Sequence, residues 1–280
     1  MNAAPKKLLV VANETVGGHT LSDAVKVHAD KGPVQVTVVC PQNQPTEGWV
    51  VYDESVRDAA ENRLATTLAQ LREIGIEAEG EVMDPDPFAA VMDSITHHGE
   101  PDEIIVATHP ETRSGWLRKD LVERIRQDTG RPVEHVVVDL DRERAQATQT
   151  LVVANQTAGA EGLLERLKEK AAKGERRFTV IVPQGEQGDD DANQRLAHML
   201  KQLDDAGLEA VGQVMHPDPF TSIQNALQFY RVDEILISTL PDERSGWMRS
   251  NLIERVQQTT SAPVEHVVAA DAGADTAVGS

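Results

Sequence analysis

Short apolar runs alternate with longer amphipathic stretches along the whole chain. "KLLVVAN" (7–13) is continuously apolar from Leu8 to Ala12, the pattern of a strand buried on both faces of a parallel sheet. "LSDAVKVHAD" (21–30) then has helical spacing, and "VQVTVVCP" (34–41) is a second strand closed by proline. "SVRDAAENRLATTLAQLREIG" (55–75) predicts a long amphipathic helix stopped by Gly75. "IEAEGEVM" (76–83) predicts a third strand and "DPFAAVMDSITHHG" (86–99) a third helix. "DEIIVATH" (102–109), "GWLRKDLVERIRQDTG" (115–130) and "PVEHVVVD" (132–139) complete the series as strand, helix and strand. Strands that alternate with helices in this way predict a parallel sheet with helices on both faces.

The series then runs a second time. "VVAN" occurs at Val10–Asn13 and Val152–Asn155, and "RSGW" at Arg113–Trp116 and Arg244–Trp247. "VMDPDPF" at Val82–Phe88 returns as "VMHPDPF" at Val214–Phe220, and "PVEHVV" at Pro132–Val137 returns at Pro263–Val268. The landmarks keep their order, and the unit is too long for a solenoid repeat. The chain is therefore a tandem duplication, with expected domains at residues 1–145 and 146–270 and a disordered tail at 271–280.

Composition narrows the choice of partner. A formal net charge of −19 repels phosphate backbones and anionic membrane surfaces, so neither a nucleic-acid nor a membrane partner is expected. The single cysteine, Cys40, excludes an intrachain disulfide. The amino-terminal apolar run is too short for a secretory signal, and no run reaches the ~20 residues of a membrane helix. The expected location is the cytoplasm.

The landmarks in both halves resemble those of the universal stress proteins, in a tandem form. "MDPDPFAAVMDSI" resembles the helix start after that family's third strand, and "IIVATHPETRSGWLRKDLVERIRQDTGRPVEHVVV" resembles its signature strand–loop–helix–strand. The resemblance implies an α/β fold, adenine-nucleotide α-hydrolase-like, with five-stranded sheets of order 3-2-1-4-5. It also implies an intramolecular pseudo-dimer through the fifth strands, 132–139 and 263–270.

In such a sheet the order reverses between strands 1 and 4, and ligands bind at the carboxyl ends there. Asn13 and Asn155 end the first strands, while Thr108 and Thr239 end the fourth. The loops beyond carry Arg113, Ser114, Gly115 and Arg118, matched by Arg244, Ser245, Gly246 and Arg249. Serine is a good N-cap, glycine admits close approach, and the free N–H groups of a helix start with nearby arginines can hold a phosphate. The same residues also suit a plain helix cap with structural ion pairs.

The family's ATP-binding pattern is degraded. Its first two glycines are Ala107 and Pro110 in one copy, Ser238 and Pro241 in the other. Its later Gly-Ser/Thr pair is Lys119-Asp120 and Ser250-Asn251. The adenine-recognising aspartate is asparagine in both copies, which can still meet an adenine edge because it donates and accepts. ATP or AMP is the cofactor the resemblance suggests, in a non-standard pose.

Other constellations point to structure. Asp86 with Pro87 reads as a helix start, and Asp84 becomes His216 in the second copy, against a catalytic carboxylate pair. Cys40 aligns with Val182 and reads as a buried hydrophobe. His97 and His98 lack counterparts, so no metal set is expected. His135 and His266 recur inside the fifth strands, for packing or an interface. The expected function is a non-catalytic regulatory or stress protein binding a small anion or adenine nucleotide. The alternative is an interaction module with closed pockets, and a slow ATPase ranks last.

Overall fold

The computed structural model describes residues 4–12, 19–42, 53–108, 120–138, 140–184, 189–241 and 251–268. The chain divides into two compact units, residues 1–143 and 144–280.

In the first unit the strands are β1 (Lys6–Val11), β2 (Val34–Pro41), β3 (Ala78–Met83), β4 (Glu103–Thr108) and β5 (Val133–Val137). Between them run α1 (His19–Ala29), α2 (Asp53–Glu73), α3 (Pro87–His98) and α4 (Leu121–Thr129). The sheet is parallel throughout, with order β3-β2-β1-β4-β5. Strand alternation splits the core into two layers. Leu8, Val10 and Ala12 pack with Leu21 and Val25 of α1 and Leu64 and Leu71 of α2. Leu9 and Val11 pack on the other face with Ala90 and Val91 of α3 and Leu121 and Ile125 of α4. The continuous apolar strand thus has a physical reason: every residue from Leu8 to Ala12 meets a helix layer.

A short helix, α5 (Leu140–Gln146), follows β5 and was not expected from the sequence. The second unit repeats the plan with β6 (Thr148–Val153), β7 (Arg176–Pro183), β8 (Ala210–Met215), β9 (Glu234–Thr239) and β10 (Val264–Val268). Its helices are α6 (Glu161–Ala171), α7 (Asp189–Asp205), α8 (Pro219–Phe229) and α9 (Leu252–Gln257). The order β10-β9-β6-β7-β8 is that of the first sheet read from its other edge.

The helix starts after β3 and β8 form as the sequence predicts. The Asp86 carboxylate accepts from Phe88 and Ala89 N–H, with Pro87 in the first turn, and Asp218 accepts from Thr221 N–H at 2.8 Å. Cys40 is fully buried, and burial pushes its thiol up from the usual value.

Asp120 and Asn251 hold equivalent places just before α4 and α9, and both are left-handed, with φ of 47° and 50°. Asp and Asn are the non-glycine residues that tolerate this region best. Asp120→Val is expected to lower stability by about 1–2 kcal/mol, the cost of a left-handed L-residue. Asp120→Gly should stay near wild type. Thermal unfolding of both variants checks this, and equal midpoints would remove the backbone constraint.

Candidate functional site

In each unit the strand order reverses between the first and fourth strands, which opens a crevice at their carboxyl ends. β1 and β4 are paired up to Val11↔Val106, and β6 and β9 up to Val153↔Ile237. The residues just past these pairs form the crevice floor.

In the second unit those residues are Ala154, Asn155 and Ser238. Ala154 N–H is bonded to the Ile181 carbonyl, so the strand ends under control of β7. Asn155 then opens a turn closed by its backbone carbonyl, which accepts from Ala158 N–H at 3.0 Å. Its side-chain Oδ1 plays no part in that turn. Oδ1 is buried and has no hydrogen-bond partner among the described residues. The Ser238 hydroxyl is in the same condition, with the residue 1% exposed. Its backbone carbonyl accepts from Thr157 Oγ1 at 3.2 Å, which ties the turn after β6 to β9. Both atoms thus lie unpaired past the last paired residues of two neighbouring strands, although buried polar groups are nearly always paired.

The fourth-strand threonines sit at the rim as expected, yet both are engaged. Thr108 Oγ1 lies 2.7 Å from His135 Nε2, and Thr239 Oγ1 lies 2.8 Å from His266 Nε2. This gives the recurrent histidines a role within each sheet: they bridge the fifth strand to the fourth. Partial desolvation lowers the His135 pKa from its usual value, although the residue stays largely exposed. Thr108 and Thr239 are therefore occupied partners, although a hydroxyl can both donate and accept. In the first unit the place of Ser238 is taken by Ala107, which is core.

Asn13, Arg113, Ser114, Gly115 and Arg118 lie outside the described residues, as do Arg244, Ser245, Gly246 and Arg249. Ser238 is the residue that sequence reasoning passed over. In the sequence it stands where the resembled pattern has a glycine, and nothing local marks its hydroxyl as a polar group of the site. A separate cavity of about 230 Å³ lies at the amino ends of the first sheet, against Lys7, Leu9, Thr37, Ser94 and Pro101. None of the sequence-predicted residues lines it, and it is remote from the order reversal.

No protein-family model matches the chain, and no curated protein matches it in sequence. Among solved structures it is similar to a universal stress protein from Archaeoglobus fulgidus. The identity is 16% over 94% of this chain and 97% of that one, with a TM-score of 0.35. It is also similar to a universal stress protein in complex with cAMP. There the identity is 12% over 49% of this chain and 99% of that one, with a TM-score of 0.34. Superpositions this loose assign no residue a role. What the topology itself defines is the class: each unit is a five-stranded parallel α/β sheet whose strand order reverses between its first and fourth strands. No helix among the described residues is long and apolar enough to cross a membrane.

Proposed function

We propose that the chain is a non-catalytic regulatory protein of the universal-stress type that binds an adenine nucleotide in the crevice of its second unit. The observation that carries this reading is the pair of buried, unpartnered atoms, Asn155 Oδ1 and Ser238 Oγ. Leaving such a group unpaired costs about 1–3 kcal/mol, which a ligand with matching donors recovers. An acceptor oxygen repels an anion, so this end of the crevice suits the base. An adenine edge offers an amine donor for Asn155 Oδ1 and a ring nitrogen for the Ser238 hydroxyl. The phosphates then fall to the Arg244–Gly246 entry expected from the sequence.

Calorimetry with AMP, ATP and inorganic phosphate tests the reading. AMP and ATP are expected to bind, and phosphate alone more weakly. Asn155→Ala and Ser238→Ala should each weaken AMP about fivefold, the worth of one net hydrogen bond of about 1 kcal/mol. Arg113→Ala with Arg244→Ala should weaken ATP more than adenosine while leaving the ligand-free melting midpoint in place. If no nucleotide binds at millimolar concentration to folded protein, the interaction-module reading replaces this one.

A further inference from the structure

At the amino ends of the strands, away from the crevice, each unit carries a partly buried ionic cluster around one buried side chain, His28 or Lys170, and the two copies solve it differently. In the second unit Lys170, near the end of α6, is held between two carboxylates. Its ammonium lies 3.0 Å from Glu234 and 2.8 Å from Glu265. Arg176 adds a second contact to Glu234, and Arg166 adds one to Glu265 at 2.5 Å. Two carboxylates therefore face three permanent cations, one of which, Arg166, is shared with Glu169.

The duplication maps this cluster onto the first unit. The buried pair Leu163 and Leu167 of α6 corresponds to Leu21 and Val25 of α1, which places Lys170 on His28. Glu234 corresponds to Glu103, and Glu265 to Glu134. His28 is 7% exposed and sits between the two carboxylates, with Nε2 2.8 Å from Glu134 and Nδ1 3.7 Å from Glu103. The arginines have no counterpart: Arg166 is replaced by Ala24 and Arg176 by Val34. Among the described residues the permanent cation in contact with the cluster is Lys6, 2.5 Å from Glu103 and 3.3 Å from His28 Nδ1. Lys6 is 42% exposed, so its ammonium can turn out to water at little cost. The first unit thus keeps both carboxylates and has lost most of the positive charge that offsets them in the second.

We propose that His28, Glu103 and Glu134 form a binding site for a divalent transition-metal ion of the zinc class. One ligand atom from each residue lies within 4.8 Å of the others, so the three close on one ion once the carboxylate at the other ring nitrogen swings to the ligating one. One imidazole and two carboxylates are a ligand set that zinc accepts, and the ion's two positive charges compensate the two carboxylates. The ligands come from the ends of α1, β4 and β5, so the bound ion ties a helix to two neighbouring strands. It does in the first unit what the Lys170 ammonium does in the second. Lys6 takes the place of the ion when metal is absent and leaves when it binds.

The test is calorimetric titration of the full chain, freed of metal by chelation, with zinc chloride at neutral pH. Wild type is expected to bind one equivalent at this site. His28→Lys installs the solution used by the second unit, so the protein should stay folded by circular dichroism and lose that equivalent. Glu134→Gln, at a half-exposed position, provides a second loss should His28→Lys fail to fold. Lys6→Ala removes a competing charge and should tighten zinc by up to about fivefold. His97→Ser with His98→Ser should leave the equivalent unchanged, which separates it from surface histidine binding. The proposal is overturned if wild type binds no zinc at this level, or if the same equivalent persists in both His28→Lys and Glu134→Gln.

Discussion

Lys170→Met is expected to destabilise the second unit by about 3 kcal/mol, the usual cost of removing one partner from a buried ion pair. The substitution keeps the apolar stem, so lost packing contributes little. It removes the one ammonium that bridges Glu234 and Glu265, at 3.0 and 2.8 Å. Arg176 and Arg166 each still hold one carboxylate, but the two carboxylates then face each other across a gap with no cation in it. The thermal midpoint should fall by about 10 °C. Because the side chain is 9% exposed, added salt should change this difference little. A midpoint within 2 °C of wild type, by ~0.5 kcal/mol on the same scale, would show that the arginines suffice.

The same cluster sets an acid limit. Burial alone would raise the Glu265 pKa, but hydrogen bonds and charge from Arg166 and Lys170 outweigh it and leave it below the ordinary value. A lowered carboxylate pKa means that the folded state binds fewer protons than the unfolded state. The stabilisation is complete above the unfolded value of about 4.3 and is lost as pH falls through the folded value. The difference between wild type and Lys170→Met should therefore shrink below about pH 4.

How far the chain could be read in advance depended on how local each signal is. The strands were legible because parallel strands buried on both faces must be continuously apolar, as Leu8–Ala12 is. The helix starts at Asp86 and Asp218 were legible because the cap and its partners lie within a few residues. The strand order was not in the periodicity and came from the resemblance. α5 was missed because "LDRERAQ" has no apolar stripe; its purpose is distant. Glu143 on that helix is 2% exposed and accepts from the N–H groups of His19 and Thr20 at 2.8 and 2.7 Å. It caps the start of α1 from more than a hundred residues away, which no local pattern can report. His28 was missed for the same reason, since its partners are Glu103 and Glu134. A signal was nevertheless present. Both glutamates recur at Glu234 and Glu265, while the residue between them changes from histidine to lysine. A duplicated chain is its own comparison, and a change from lysine to histidine between two retained glutamates marks a site where their charge must be offset.

Gly80→Ala is expected to lower the stability of the first unit by about 2–3 kcal/mol through overpacking. Gly80 lies on β3, where a Cβ would meet the Val38 carbonyl oxygen at 2.6 Å and Leu64 Cδ1 at 2.7 Å. Leu64 is a flexible tip on α2 and can rotate; the Val38 carbonyl belongs to β2 and cannot move without shifting the sheet. The absence of a side chain at Gly80 is what lets α2 lie this close to the β2–β3 pair. The second unit repeats the arrangement: at Gly212 a Cβ would meet Leu196 Cδ1 at 2.6 Å and the Val180 carbonyl at 2.7 Å. Gly212→Ala should therefore cost about the same. A double-mutant cycle separates the two contacts. If the helix tip is the obstacle, Gly80→Ala costs nothing further in a Leu64→Ala background. If the strand carbonyl is the obstacle, as its fixed position implies, most of the penalty survives there. A Gly80→Ala midpoint equal to wild type would mean that β3 gives way easily, and the close approach of α2 would then need another cause.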